Sequence, residues 1–210
     1  MNELNKLREA GLIKKINQMK VVRIDPSEKM MVDNPTDLPL IAKEKKRAVF
    51  QIDRTSSLAI YTKPGKAEKE YSLLKLGAPH GITPDPYEYG PKYLVMPLML
   101  APKASVYLQR NDLTKEFAAS LLQLHIVSGR IGFRGGHSPE DIYVMQDGTL
   151  KAVNIRDTGS LADHPAKYLL GGLGVRVKEF LTYMKELDPI LYEQWTTHPK
   201  FMSHTKNLNR

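Results

Sequence analysis

One turn constrains this chain more than any other feature. Asp147-Gly148 stands between two apolar runs, Ile142 to Val144 and Leu150 to Val153. Asp-Gly in that setting is the strongest short-range hairpin signal. The flanks are polar, Ser138 to Asp141 on one side and Asn154 to Asp157 on the other. The stretch Arg134 to Asn154 therefore reads as a loop, a strand, a tight turn and a second strand, with chemical groups at both ends of the hairpin. Loops held in this way can position reactive side chains, and they are also ordinary connections.

Composition narrows the classes. With 210 residues the chain can bury a substantial core in one or two domains. It has no cysteine, which excludes disulfides, thiolate metal sites and a cysteine nucleophile. No apolar run is long enough to span a bilayer, and Met1 to Lys6 lacks the apolar centre of a signal peptide, so a cytoplasmic protein is expected. The formal charge of +8 favours anionic partners, nucleic acid or another polyanion among them. Lys14, Lys15, Lys20 and Arg23 form one basic cluster and Lys43 to Arg47 another. Neither has aromatics interleaved with the charge, so each also reads as a solvated face.

Taken in order, Leu4, Leu7, Leu12 and Ile16 predict a helix, or two short ones broken at Gly11. Residues 21–24 and 30–32 predict a strand and its return. Residues 38–42, 48–53 and 57–62 predict three more strands, and residues 67–76 a helix stopped by Gly77. Residues 87–89 and 93–96 predict a hairpin around Gly90-Pro91. Beyond Pro97 the periodicity is helical, interrupted by the Asp147-Gly148 hairpin. Phe180, Leu187, Tyr192 and Trp195 are expected to close the core there. The outline is α+β. An extension over residues 1–37 precedes a β-rich part over 38–97 and a short helical part over 98–210.

This order of elements resembles the protein-kinase fold, closest to small serine/threonine-kinase-like proteins of bacteria, over roughly residues 38–154. Ile41 to Phe50 looks like the glycine-rich loop, Ser57 to Tyr61 like the third N-lobe strand, and Ala67 to Tyr71 like the helix carrying the ion-pairing Glu, at Glu70. Tyr93 to Leu98 resembles the strand entering the hinge, with Met96, Pro97 and Leu98 as the hinge itself. Pro139-Glu140-Asp141-Ile142 resembles the catalytic-loop P-E-N-I. The family's spacing then puts its catalytic Asp at Gly136 and its D-F-G Asp at Asn154.

Phosphoryl transfer needs a phosphate cradle, a Lys, a base and groups that hold magnesium. The resemblance implies that most of these are replaced. The loop glycines fall at Ala42, Glu44 and Arg47, the Lys at Ala59, the base at Gly136 and the metal-binding Asp at Asn154. Glu70, Asp141 and Asp157 are what would remain of a nucleotide or metal site. The expected protein is a compact two-lobed, catalytically inactive kinase-like domain, a pseudokinase. It would have a β-rich N-lobe and a short helical C-lobe, need no cofactor, and act through a protein partner as a scaffold or regulator. An atypical active kinase or ATP-binding protein, using ATP and magnesium at Asp141 and Asp157, is the first alternative. A basic nucleic-acid-binding module is the second.

Overall fold

The structure is a computed structural model, and it describes residues 11–23, 30–44, 46–133, 137–155 and 166–201. It is a mixed α+β protein with two compact units, Met1–Ser72 with Asp85–Leu98 and Leu73–Pro84 with Met99–Arg210. Among the described residues no helix is long and apolar enough to cross a membrane.

In the first unit, Gly11 sits at φ 63° and starts helix α1, Leu12–Gln18. Its left-handed backbone explains the break that the sequence places there; the part of the expected helix before Gly11 lies outside the described residues. Strands β1 (Lys20–Arg23) and β2 (Met30–Asp33) pair antiparallel, Val21 opposite Val32. Then follow β3 (Leu40–Lys43), β4 (Arg47–Gln51), β5 (Ser56–Tyr61), β6 (Glu88–Tyr89) and β7 (Tyr93–Pro97), in an antiparallel sheet of order β3-β4-β5-β7-β6. Asp53 makes the β4–β5 turn by accepting hydrogen bonds from the backbone N–H groups of Thr55 and Ser56, at 2.7 and 2.8 Å. The register shifts between Leu40 and Ala42, a bulge in an edge strand that blunts further pairing.

β5 is central, and all six of its residues are buried. Phe50, Leu58, Ile60 and Val95 share one core with Ile16, Met19, Val21 and Met30, so α1 and the first hairpin are built into the sheet's packing. Burying each large apolar side chain of this kind contributes roughly 1.5–3 kcal/mol. Helix α2, Lys66–Gly77, buries Ala67, Glu70 and Leu74, an i, i+3, i+7 stripe.

In the second unit, helices α3 (Ala104–Arg110) and α4 (Lys115–Arg130) precede the hairpin of β8 (Ile142–Val144) and β9 (Leu150–Ala152). Thr114 caps α4, its hydroxyl accepting from the Phe117 N–H at 3.2 Å. The hairpin is the one the Asp-Gly signal predicts. Gly148 has φ 79°, and Asp147 Oδ1 accepts from the Thr149 N–H and hydroxyl at 2.9 and 2.7 Å. Helices α5 (Lys167–Leu173), α6 (Val177–Leu187) and α7 (Pro189–Thr196) complete the unit. Gly174, at φ 56°, divides the continuous helical pattern into α5 and α6. Asp188 caps α7, accepting from the Leu191 N–H at 2.9 Å, with Pro189 in its first turn. Phe180 and Trp195 close the core as expected, and the His125 ring meets Trp195 edge-on at 4.7 Å. Leu187 does not join them. It ends α6 and is 37% exposed.

Candidate functional site

The residues singled out from the sequence fall into two groups, one in each unit. In the first unit, Ala42 lies in β3, Glu44 in the β3–β4 turn, Arg47 at the start of β4, Ala59 in β5 and Glu70 in α2. Ala59 is buried, paired with Val49 on one side and Leu94 on the other. It brings no charge to Glu70. Arg47 does so instead. Its guanidinium forms an ion pair with Glu70 Oε1, donates to Tyr61 Oη at 3.1 Å and donates through Nε to Glu44 Oε2 at 2.7 Å. Tyr61, directly across the strand pair from Arg47, donates its hydroxyl to Glu70 Oε2 at 2.7 Å.

This corrects one expectation. Arg47 is not part of a solvated basic face, because its side chain is 7% exposed and its fork is taken up within the unit. Glu70 takes its cation from a neighbouring strand and not from the lysine position of the resemblance. Burial works against the Arg47 charge, yet the surrounding Glu70, Tyr61 and Glu44 hold its pKa well above the usual arginine value. Burial, and then the Glu70 carboxylate, push the Tyr61 phenol far above its ordinary range, so it stays a neutral donor. Glu70 was singled out through the resemblance; its burial on the same stripe as Ala67 and Leu74 is what the structure adds. The role of Arg47 was not legible, because a charge in a basic run reads as surface.

Of the residues expected to form a hinge, Met96 and Pro97 finish β7 and Leu98 follows. Ser57 Oγ donates to the Met96 carbonyl at 3.3 Å, and the Leu98 N–H donates to the Thr55 carbonyl at 2.7 Å.

In the second unit, Pro139–Asp141 forms a 3-10 turn, with the Asp141 N–H donating to the Ser138 carbonyl at 2.8 Å. Val153 N–H donates to the Asp141 carbonyl at 2.8 Å, which draws the end of β9 against that turn. The side chains then meet, Asn154 Nδ2 donating to Asp141 Oδ1 at 3.0 Å. Asn154 has φ 54°, the one non-glycine residue at positive φ among the described residues. Asparagine tolerates that region better than most residues, so its place there is a local strain with a chemical reason. Gly136 and Asp157 lie outside the described residues.

His137 was missed from the sequence. It is buried, and its Nε2 lies 2.9 Å from Ser128 Oγ. The Ser128 hydroxyl donates to the Leu124 carbonyl at 2.7 Å, so the histidine N–H supplies the proton of the other bond. Ser128 continues the Leu121, Leu124 stripe of α4, which was the available signal. The pair anchors the approach to the Pro139 turn on that helix.

A groove of about 700 Å³ also lies in this unit, with Ile82, Tyr107, Phe117 and Leu150 on its walls and Glu116 and Asp147 at its edge. It is lined in part by the Asp147-Gly148 turn, but by none of the site residues expected from the sequence. Both carboxyls are held below their usual values. Glu116 is lowered by its own backbone N–H and by Thr114, and Asp147 by the hydroxyl and N–H of Thr149. Among the described residues no group of three or more His, Asp and Glu side chains is placed to hold a metal ion.

No family model matches this chain, and no curated protein matches it.

Proposed function

We propose that this is a degenerate protein-kinase-like protein that acts by binding a protein partner, as a scaffold or regulator, and not by phosphoryl transfer. The observation that carries the reading is the saturation of Glu70. In the chemistry the fold would inherit, that carboxylate orients a lysine toward nucleotide phosphates. Here both its oxygens are engaged inside the unit, by Arg47 and by Tyr61, and Ala59 stands where the lysine would be. Glu70 is thereby a packing element of α2 on the sheet. The Asp141 and Asn154 pair supports the same reading. It offers a single carboxylate, and one of its oxygens is already accepting from the amide. A lone carboxylate with a neutral neighbour is a poor magnesium site.

The test is a thermal-shift panel of nucleotides with and without magnesium or manganese, run beside a phosphoryl-transfer assay. The expected result is no metal-dependent nucleotide shift and no transfer above the level of Asp141→Ala. Transfer that the wild type performs and Asp141→Ala abolishes would overturn the proposal in favour of an atypical enzyme.

A further inference from the structure

Three connections meet at one end of the five-stranded sheet. They are the β3–β4 turn with Lys43 and Lys46, the link from β5 into α2 with Lys63 and Lys66, and the β6–β7 turn with Lys92. Backbone bonds tie them together. Thr62 N–H donates to the Lys46 carbonyl at 3.0 Å, Tyr61 N–H to the Lys92 carbonyl at 2.8 Å, and Gly65 N–H to the Pro91 carbonyl at 3.2 Å. The chain leaving β5 is thus flanked by the lysine-bearing turns on both sides. All five lysines are exposed, and none makes a side-chain hydrogen bond or ion pair among the described residues.

The nearby acids are committed elsewhere. Glu44 turns away to Arg47 Nε at 2.7 Å, and Glu68 accepts from the Tyr89 hydroxyl at 3.4 Å. Proline fixes φ in two of the links, at Pro64 and at Pro91. Gly90 lies so close against the Tyr93 ring that a β-carbon would collide with it. Beside the Gly90–Lys92 turn, Tyr89 is 41% exposed and its ring packs on Tyr71 at 4.7 Å between centroids.

We propose that this lysine platform, with Tyr89 at its edge, is a binding surface for single-stranded nucleic acid. Unpaired lysines on a fixed scaffold match a repeating phosphate backbone, which asks for charge and little else. An exposed tyrosine already held by a second ring offers a face on which a base can stack without losing rotamer freedom. An acidic protein partner fits less well. Protein interface cores are depleted in lysine, and this platform is built mainly of it. The inference does not depend on the kinase-like reading, and it replaces the Lys43 to Arg47 cluster of the sequence with a surface that leaves out Arg47.

The test uses the full chain and the fluorescence anisotropy of a labelled oligo-dT of about 20 nucleotides, long enough for one or more single-strand sites of the usual size. If all five lysines neutralise phosphates, the slope of log K against log salt is about −3.5, so raising salt from 50 to 200 mM weakens binding about 100-fold. Lys46→Glu, Lys63→Glu and Lys92→Glu together should abolish binding. Arg130→Glu, Lys178→Glu and Lys185→Glu, the same charge change in the other unit, should leave most of it. Tyr89→Ala should cost about tenfold. Should the triple reversal unfold the protein, the single changes Lys46→Gln, Lys63→Gln and Lys92→Gln each reduce the slope by about 0.7. The proposal is overturned if the control triple loses as much as the platform triple, if no binding occurs at 50 mM salt, or if polyglutamate or phosphatidylserine vesicles compete better than the oligonucleotide at matched charge.

Discussion

Replacing Glu70 with alanine tests whether the buried Arg47 cluster holds the first unit together. The substitution removes one of the two carboxylates on Arg47 and the acceptor of the Tyr61 hydroxyl. The Arg47 side chain is 7% exposed and that of Glu70 is 11% exposed, so the guanidinium stays out of water after the change. At an effective dielectric of about 20, a contact ion pair is worth roughly 4 kcal/mol before desolvation is counted. Breaking a buried pair by removing one partner typically costs about 3–5 kcal/mol, because the remaining charge is left uncompensated. Glu44 softens this, at 2.7 Å from Arg47 Nε, but its side chain is 32% exposed and solvent screens it. Together these place Glu70→Ala at a loss of about 3 kcal/mol, towards the lower end of the range for buried pairs. The triple variant Arg47→Met, Glu70→Leu and Tyr61→Phe removes every stranded polar group, and it should recover to within about 1 kcal/mol of wild type or exceed it. Urea titration reads both, as a shift of midpoint at constant slope. A Glu70→Ala loss below about 1 kcal/mol, the range of ordinary surface changes, would refute a buried and essential pair.

The raised Tyr61 pKa gives an alkaline signature. Below the ordinary tyrosine value of 10.0 its contribution is fully present, and above that value the unfolded chain ionises while the folded one does not, so stability falls as pH rises. Tyr61→Phe should therefore be less stable than wild type at pH 8, and the gap should narrow in urea titrations run above about pH 10. Asn154→Asp would set two carboxylates against each other at the end of β9. It should lower the thermal midpoint in EDTA and recover in millimolar magnesium or manganese, whereas wild type should respond to neither. Gly172→Ala puts a β-carbon inside contact distance of Pro139 Cδ, so it should cost about 1–3 kcal/mol despite alanine's better helix propensity, as read by thermal unfolding.

Much of the fold was legible because it rests on local chemistry. Asp147-Gly148 dictates its own turn, Asp53 its own bend, and Gly11, at positive φ, the start of a helix. The strands of the first sheet could be read from β-branched and aromatic runs between turn residues. What could not be read were pairings between side chains on different elements. The His137 bond to Ser128 joins a loop to a helix face, and nothing in the loop alone identifies its partner. Leu187 carries a core residue's chemistry but stands at a helix end, where geometry leaves it partly in water.

Arg47 shows the deeper reason. Periodicity assigns a side chain to a face, and charge normally sends that face outward. Arg47 reverses this because two neighbours change the energetics together. Tyr61 is placed opposite it by the β4–β5 register, and Glu70 is turned inward by the stripe that buries Ala67 and Leu74. Each alone would be an expensive group to bury, and a buried charge is tolerated only when it is paired and hydrogen-bonded. The burial of Glu70 shows within one helix, on the face that also buries Ala67 and Leu74. The identity of its cation required the strand register, which fixes which of the basic residues between Lys43 and Arg47 faces inward. Lys43 and Lys46 are exposed, so one basic run supplies both the internal ion pair and part of the external lysine surface.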